Sequence, residues 1–144
     1  MNLFHRRQGQ MDQDICYFFT DTIYQFKPLL ENDDLKRIVI NSWKYLADKG
    51  LIVVYGYVIM PNHVHLLWNM LEKNGGESPA ASFTKHTAHQ FRKYLTIKEP
   101  KTLQQFSSDK TDRRYQFWKR DPLAIPLNTE DILIQKLITF MLTR

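Results

Sequence analysis

The sequence of 144 residues contains one cysteine, Cys16, so no intrachain disulfide can form and a reducing compartment is the simplest interpretation. No apolar run approaches the roughly 18 residues that a membrane span needs. Residues 1–14 are polar and lack the apolar core of a secretory signal. We find no internal repeat, no low-complexity tract and no second domain. These absences predict a single domain over residues 1–144 without a membrane partner, in which residues 1–14 can be interpreted as a disordered arm.

The charge balance points to a polyanionic partner. The chain carries 20 Lys and Arg against 15 Asp and Glu, a formal net charge of +5. Acidic residues lead early, whereas residues 85–120 are rich in Lys, Arg and His. A basic surface attracts nucleic acid over a long range, although basic composition alone is weak evidence for such binding.

Hydrophobic periodicity predicts a mixed order of strands and helices. Residues 51–60 are almost continuously apolar, which predicts a central strand covered on both faces. The strand of residues 62–70 follows so closely that the two form a hairpin. The remaining predictions are a strand at 15–20, a helix at 33–49, a helix from 78 to about 95, a loop at 99–114, a short strand or buried anchor at 115–118, and a last helix from 128. This order favours an α+β fold with a ferredoxin-like antiparallel sheet and packed helices.

The pattern with the most chemical content is His63-Val64-His65. Side chains alternate along a strand, so both imidazoles leave the same face and can share one divalent metal ion. Two His ligands suit Mn²⁺, Zn²⁺, Co²⁺ or Ni²⁺ by softness, whereas Mg²⁺ would need further oxygen donors or waters. Protonation abolishes ligation, so we expect loss of the metal below about pH 6. The competing interpretation is two half-buried histidines with structural hydrogen bonds.

Residues 57–68, Tyr-Val-Ile-Met-Pro-Asn-His-Val-His-Leu-Leu-Trp, resemble the HUH signature of REP-associated tyrosine transposases. Residues 17–20, 82–91 and 117–122 resemble further stretches of that family in the same order. The resemblance implies the HUH endonuclease fold, a divalent metal cofactor (Mg or Mn), and single-stranded or hairpin DNA as the substrate of DNA transposition. In the family a tyrosine on the last helix attacks a phosphodiester, forming a 5′-phosphotyrosine and freeing a 3′-OH.

The resemblance fails on the last predicted helix. Relatives typically have Gln-Lys-Leu-x-Tyr-Ile-His-x-Asn-Pro there, whereas this chain has Thr139 at the tyrosine position and Thr143 where a metal-ligand partner would stand. We therefore expect a truncated or degenerate member with impaired cleavage, and no catalytic residue is assigned. Tyr115 is a weak substitute, because its place before Phe117 and Trp118 favours a structural anchor.

Two clusters of cationic side chains form the predicted DNA-binding surface. One lies on the helix after the hairpin and the other lies further along the chain, near Trp118. Cations track a phosphate backbone, and nearby aromatics can stack unpaired bases. The competing interpretation is a solvated helix face with its aromatics in the core, which we favour for Phe83, Phe91 and Tyr94. The predicted DNA-binding residues are Lys85, His86, His89, Arg92, Lys93, Arg113, Arg114, Lys119 and Arg120.

Three functions remain open from sequence. The first is the DNA-nicking transposase, which is an enzyme only if a nucleophile exists. The second is a hairpin-DNA binder or transposition regulator without chemistry, and the third is a metal hydrolase that activates water at the two histidines. A cytoplasmic, nucleoid-associated location is expected. A monomer and a homodimer both remain open, since the resemblance covers proteins of either kind.

Overall fold

The elements of the protein come from a computed structural model that describes residues 15–109 and 114–127. Four strands and three helices alternate along these residues, with short 3₁₀ turns at Tyr24–Phe26 and Leu29–Glu31. The elements in chain order are β1 (Cys16–Thr22), α1 (Asp33–Asp48), β2 (Ile52–Met60), β3 (His63–Met70), α2 (Pro79–Lys98), α3 (Pro100–Gln104) and β4 (Leu123–Leu127).

The two long helices begin and end at residues suited to those positions. The Asn32 side chain caps α1 by accepting hydrogen bonds from the backbone N–H groups of Asp34 and Leu35. Gly50, at φ +75°, follows the helix in the left-handed conformation that glycine adopts most readily. Ser78 caps α2 ahead of a proline at the first helical position. These residues confirm the predicted helix starts, and α2 extends three residues beyond the predicted end.

The sheet has the strand order β2-β3-β1-β4, and every neighbouring pair is antiparallel. Each helix therefore connects two strands that are separated by one strand between them, since α1 links β1 to β2 and α2 links β3 to β4. This is the ferredoxin-like arrangement, and the predicted α+β fold class is confirmed. Among the described helices, none has the length and apolar character that a bilayer crossing requires.

The main core lies between one face of the sheet and the helices, and a smaller apolar cluster around Leu67 is buried on the opposite face. Alternate residues of β1 and β3 point into the main core, including Tyr17, Phe19 and Trp68, all fully buried. From the helix side, Trp43 of α1 stacks on Phe83 of α2 with ring centroids 5.4 Å apart. The predicted assignment of Phe83 and Phe91 to the core is confirmed.

The prediction of a central β2 is wrong. The strand lies at one edge of the sheet, and its Val53, Tyr55 and Tyr57 side chains are exposed. An unbroken apolar run indicates burial, but it does not determine whether a strand lies at the centre or the edge of a sheet, because that depends on which strands pair with it. Here a bulge between Val54 and Gly56 interrupts the pairing with β3, as is common on edge strands.

Two short elements also differ from the prediction. The predicted loop over residues 99–114 contains the helix α3, which begins at Pro100 and buries only Leu103. Residues 115–118, predicted as a short strand or buried anchor, form two isolated bridges and bury Phe117 and Trp118, which confirms the anchor. The last strand of the described sheet is β4, which was not predicted. Proline argues against a central strand, and Pro126 is tolerated in β4 because that strand lies at the sheet edge.

Candidate metal and nucleic-acid site

The two histidines lie on the face of the sheet opposite the helices. On β3 the buried Val64 and Leu66 point into the core, so His63 and His65 point to the other side. Their rings meet edge to face with centroids 4.7 Å apart. Phe18 of the neighbouring strand stacks on His65 at 5.3 Å. The predicted alternation along this strand is confirmed, and the imidazoles are close enough to share one ion.

Each imidazole is oriented by a hydrogen bond at Nδ1. The Thr20 hydroxyl lies 2.9 Å from Nδ1 of His65, and the Asn62 side-chain oxygen lies 2.7 Å from Nδ1 of His63. Thr20 reaches His65 because the two residues are paired across β1 and β3. When Nδ1 carries the proton, Nε2 carries the lone pair that a metal ion needs, and such an outer partner fixes both ring orientation and tautomer.

Burial favours the neutral form of both rings. Desolvation lowers the pKa of His63, and desolvation together with the nearby His63 lowers the pKa of His65 to about 4. The neutral imidazole is the form that binds metal. The expected loss of metal therefore moves below the pH of about 6 that unperturbed histidines suggest.

The donor set fits a metal ion in part. Within the residues that the structure describes, no group of three or more His, Cys, Asp or Glu side chains is placed to hold one. The sheet thus offers two nitrogen ligands, and water or phosphate oxygens would have to complete the coordination. Such a mixed set suits Mn²⁺, and Mg²⁺ where oxygens predominate.

A cleft of about 540 Å³ lies beside the end of β1 that pairs with the histidines, although neither histidine lines it. Its floor includes Thr20 and Thr22, which pair with His65 and His63 respectively. Its wall is the segment from Lys119 to Leu123, held in place by the backbone N–H of Lys119, which donates to the carbonyl of Thr22 at 2.7 Å. Two predicted DNA-binding residues, Lys119 and Arg120, therefore lie one strand spacing, roughly 5 Å, beyond β1.

The other predicted cluster lies on the far side of the molecule. Phe83, Phe91 and Leu95 of α2 pack towards the sheet, so the exposed face of this helix points away from the histidines. The Lys85 ammonium is 2.7 Å from a carboxylate oxygen of Glu77. The structure therefore divides the predicted DNA-binding surface in two. The exposed residues on this remote face are Lys85, His86, His89, Arg92 and Lys93.

Tyr115 lies beside the cationic residues of α2 rather than on the histidine face. Its ring lies beneath the guanidinium groups of Arg92 and Arg114, at 5.0 and 5.8 Å, and packs against the core on the helix side. These contacts favour the structural anchor over a nucleophile. The predicted residues Arg113, Thr139 and Thr143 lie outside the described residues.

Sequence reasoning missed three polar residues around the site. The outer hydrogen-bond partners Thr20 and Asn62 were not assigned to it, because strand register decides which hydroxyl meets which imidazole. Asp21 is buried on the core side, directly opposite Val64. Burial raises its pKa well above the usual value. Nothing in a strand of alternating apolar residues marks the one carboxyl that points inward.

The fold is shared with a solved transposase. The structure of a REP-associated tyrosine transposase bound to a REP hairpin matches 97% of this chain and 68% of that chain, with a TM-score of 0.57 and 12% identity. At that identity the likeness shows the fold alone. No family model matches the sequence. No curated protein matches it either.

Proposed function

We propose that the protein is a DNA-binding, transposase-like protein that recognises hairpin DNA with single-stranded segments. The observation that carries the proposal is the oriented pair His63 and His65 on the face of the sheet opposite the helices, with Lys119 and Arg120 lining a cleft on the far side of β1. The shared fold with a transposase that was solved on a DNA hairpin supports it, as does the sequence resemblance to the HUH signature.

Each residue has a stated task. His63 and His65 bind a divalent cation through Nε2, while Thr20 and Asn62 keep the rings oriented. Lys119 and Arg120 attract the phosphates of a strand that runs through the cleft. The cation, when bound, supplies Lewis-acid polarisation of a phosphoryl oxygen. With a pair of nitrogen ligands, Mn²⁺ is the cation favoured over Mg²⁺.

Cleavage is impaired in this proposal. The family mechanism needs a tyrosine on the last helix, and the sequence has Thr139 at that position. A threonine hydroxyl is a weak nucleophile unless an adjacent base activates it. The second candidate function is therefore a hairpin-DNA binder or regulator that keeps the fold and affinity without the chemistry.

An electrophoretic assay with a labelled hairpin and Mn²⁺ tests both candidates. We expect a mobility shift whose affinity falls steeply with salt, as contacts to about 4 to 6 phosphates would require. A covalent adduct supports surviving transposase chemistry, a shift without cleavage supports the binder, and cleavage without adduct supports a metal hydrolase. The absence of any shift, or a salt-insensitive one, overturns the proposal.

Charge-reversal variants test whether the basic residues of the cleft contact the DNA. The pair Lys119→Glu and Arg120→Glu should weaken hairpin binding at least tenfold, because these side chains flank the cleft beside the histidines. Reversal of the exposed Lys44 of α1 and of Lys49, which directly follows this helix, changes the net charge equally and serves as the matched control. Equal losses from both pairs would mean that net charge rather than the cleft governs binding.

A further inference from the structure

The turn that follows β1 holds two residues in an unusual backbone conformation. Gln25 and Phe26 both have φ of 57°, in the left-handed region that non-glycine residues seldom adopt. Such strain persists only where the surroundings enforce it, and it clusters at binding sites. The backbone N–H of Ile23 donates to the carbonyl of Asn62, and that of Tyr24 donates to the carbonyl of Phe117. The turn is thus fixed to the histidine hairpin on one side and, on the other, to Phe117, just before the residues that wall the cleft.

This turn presents an aromatic ring to solvent. Phe26 is 64% exposed, whereas every other phenylalanine within the described residues is buried or half-buried. An exposed phenylalanine contributes little to the core. A single exposed phenylalanine is ordinary on a protein surface, but a strained backbone of the kind that clusters at binding sites holds this one in place.

The surroundings of the ring are cationic. The ammonium of Lys119 lies 5.8 Å from the centroid of the Phe26 ring, and the exposed Arg120 follows it in sequence. Lys119 is tied to Thr22, which pairs with His63. The ring therefore stands beside the cleft and near the histidine end of β1.

We propose that Phe26 is a stacking platform for one unpaired nucleobase in a single-stranded segment next to the hairpin stem, with Lys119 contacting the neighbouring phosphate. The inference rests on the proposed function and names a contact within it. Every base has a flat face that an aromatic ring can stack on, and single-stranded DNA offers that face together with a phosphate to neutralise. A paired base inside a duplex has both faces occupied, so the platform selects unpaired positions.

The experiment uses the full chain and two forms of one hairpin, blunt and with a single-stranded extension. In the extension, 2-aminopurine replaces each base in turn, because stacking on an aromatic ring quenches its fluorescence. We expect quenching at one position with the wild type and with Phe26→Trp, and none there with Phe26→Ala. Phe26→Ala should weaken binding of the extended hairpin about tenfold and leave the blunt hairpin unaffected.

The matched control is Tyr45→Ala on α1. Tyr45 is also exposed and also has a lysine ammonium over its ring, that of Lys49 at 5.1 Å. It is remote from the cleft, so its removal should change neither hairpin. Because Phe26 is exposed, Phe26→Ala should keep the thermal midpoint of the wild type, and the recovery of quenching in Phe26→Trp separates stacking from any change in folding.

The outcomes distinguish this proposal from the proposed function. If the wild type binds the hairpin and Phe26→Ala binds each form as tightly as the wild type does, the stacking platform is overturned while the DNA-binding function stands. If the wild type binds no hairpin DNA, both are overturned. If Phe26→Ala instead abolishes a concentration-dependent self-association, the ring contacts a second copy of the chain and the platform is again overturned.

Discussion

The two faces of the central strands β1 and β3 differ in what they bury. Towards the helices these strands present Tyr17, Phe19 and Trp68 in an apolar core, whereas towards the other side they present Thr20, His63 and His65 in polar contact with one another. Since side chains alternate, one stretch of backbone serves both purposes. The larger apolar core lies on the helix side, whereas the other side combines a smaller apolar cluster around Leu67 with the polar candidate site, so variants on the two faces should have separable effects.

The largest effect is expected from the core face. Phe83→Ala should lower the free energy of unfolding by about 3–5 kcal/mol, because it leaves a cavity beneath Trp43 and Trp118. Urea denaturation monitored by tryptophan fluorescence measures the change. Ile97→Ala on the exposed side of α2 is the control and should shift the value by less than about 0.5 kcal/mol. A loss below about 1 kcal/mol for Phe83→Ala would mean that this face does not supply the rigidity.

Asp21 breaks the apolar character of the core face. Its Oδ1 accepts from the backbone N–H of Thr22, while its Oδ2 has no hydrogen-bond partner among the described residues. Because burial raises its pKa in the folded protein, Asp21 favours folding below the unfolded value near 3.8 and opposes it as pH rises through the folded value. Asp21→Asn should therefore raise the free energy of unfolding by about 2 kcal/mol at pH 8 and by less at pH 4.

The control for that prediction is Asp48→Asn. Asp48 is exposed and 2.9 Å from the Lys44 ammonium, and an exposed pair of this kind contributes less than about 1 kcal/mol. If Asp21→Asn leaves stability unchanged at pH 8, the buried carboxyl has a partner that neutralises it. The core face would then be less apolar than the comparison of the two faces states.

The histidine face should respond to pH in the opposite direction. Burial lowers the pKa of His65 to about 4 from the ordinary 6.5, so its contribution to stability is present above 6.5 and is lost as pH falls towards 4. Because the ring is partly exposed, screening limits the change to about 1 kcal/mol. Denaturation with a metal chelator present, compared between wild type and His65→Gln, isolates this contribution.

The exposed His86 provides the matched control for the pH prediction. His86→Gln should retain the wild-type fall in stability between pH 6.5 and 4, and His65→Gln should lose about 1 kcal/mol of it. Identical curves for all three proteins would show that His65 is solvated like an ordinary surface histidine.

The sequence predicts features that depend on nearby residues better than it predicts which strands lie side by side in the sheet. The starts of the two long helices and the alternation around His63 depend on nearby residues, and each is found as expected. Strand position depends on what lies beside the strand. For this reason β2 was misplaced as central, and β4, with Pro126 inside it, was missed.

The candidate site likewise has one part that local sequence predicts and other parts that depend on residues distant in the sequence. The histidine pair follows from spacing, whereas its partner Thr20 follows from the register between β1 and β3, some 45 residues apart in sequence. Phe26 is exposed at a positive φ, and this conformation could not be predicted because neither a glycine nor an asparagine stands at the position. The separation of the α2 cations from Lys119 and Arg120 arises from the layering of helices on one face.

Mn²⁺ binding to the wild type and to His63→Ala/His65→Ala at pH 7.5, measured by electron paramagnetic resonance of the free ion, tests the central claim most directly. The account predicts one ion per wild-type chain and an affinity at least about 100-fold lower in the double variant, since loss of even an outer-shell partner costs roughly 10- to 100-fold. His86→Ala/His89→Ala removes two exposed histidines and should bind like the wild type. Equal binding by the wild type and the sheet variant, or none by either, would contradict the account.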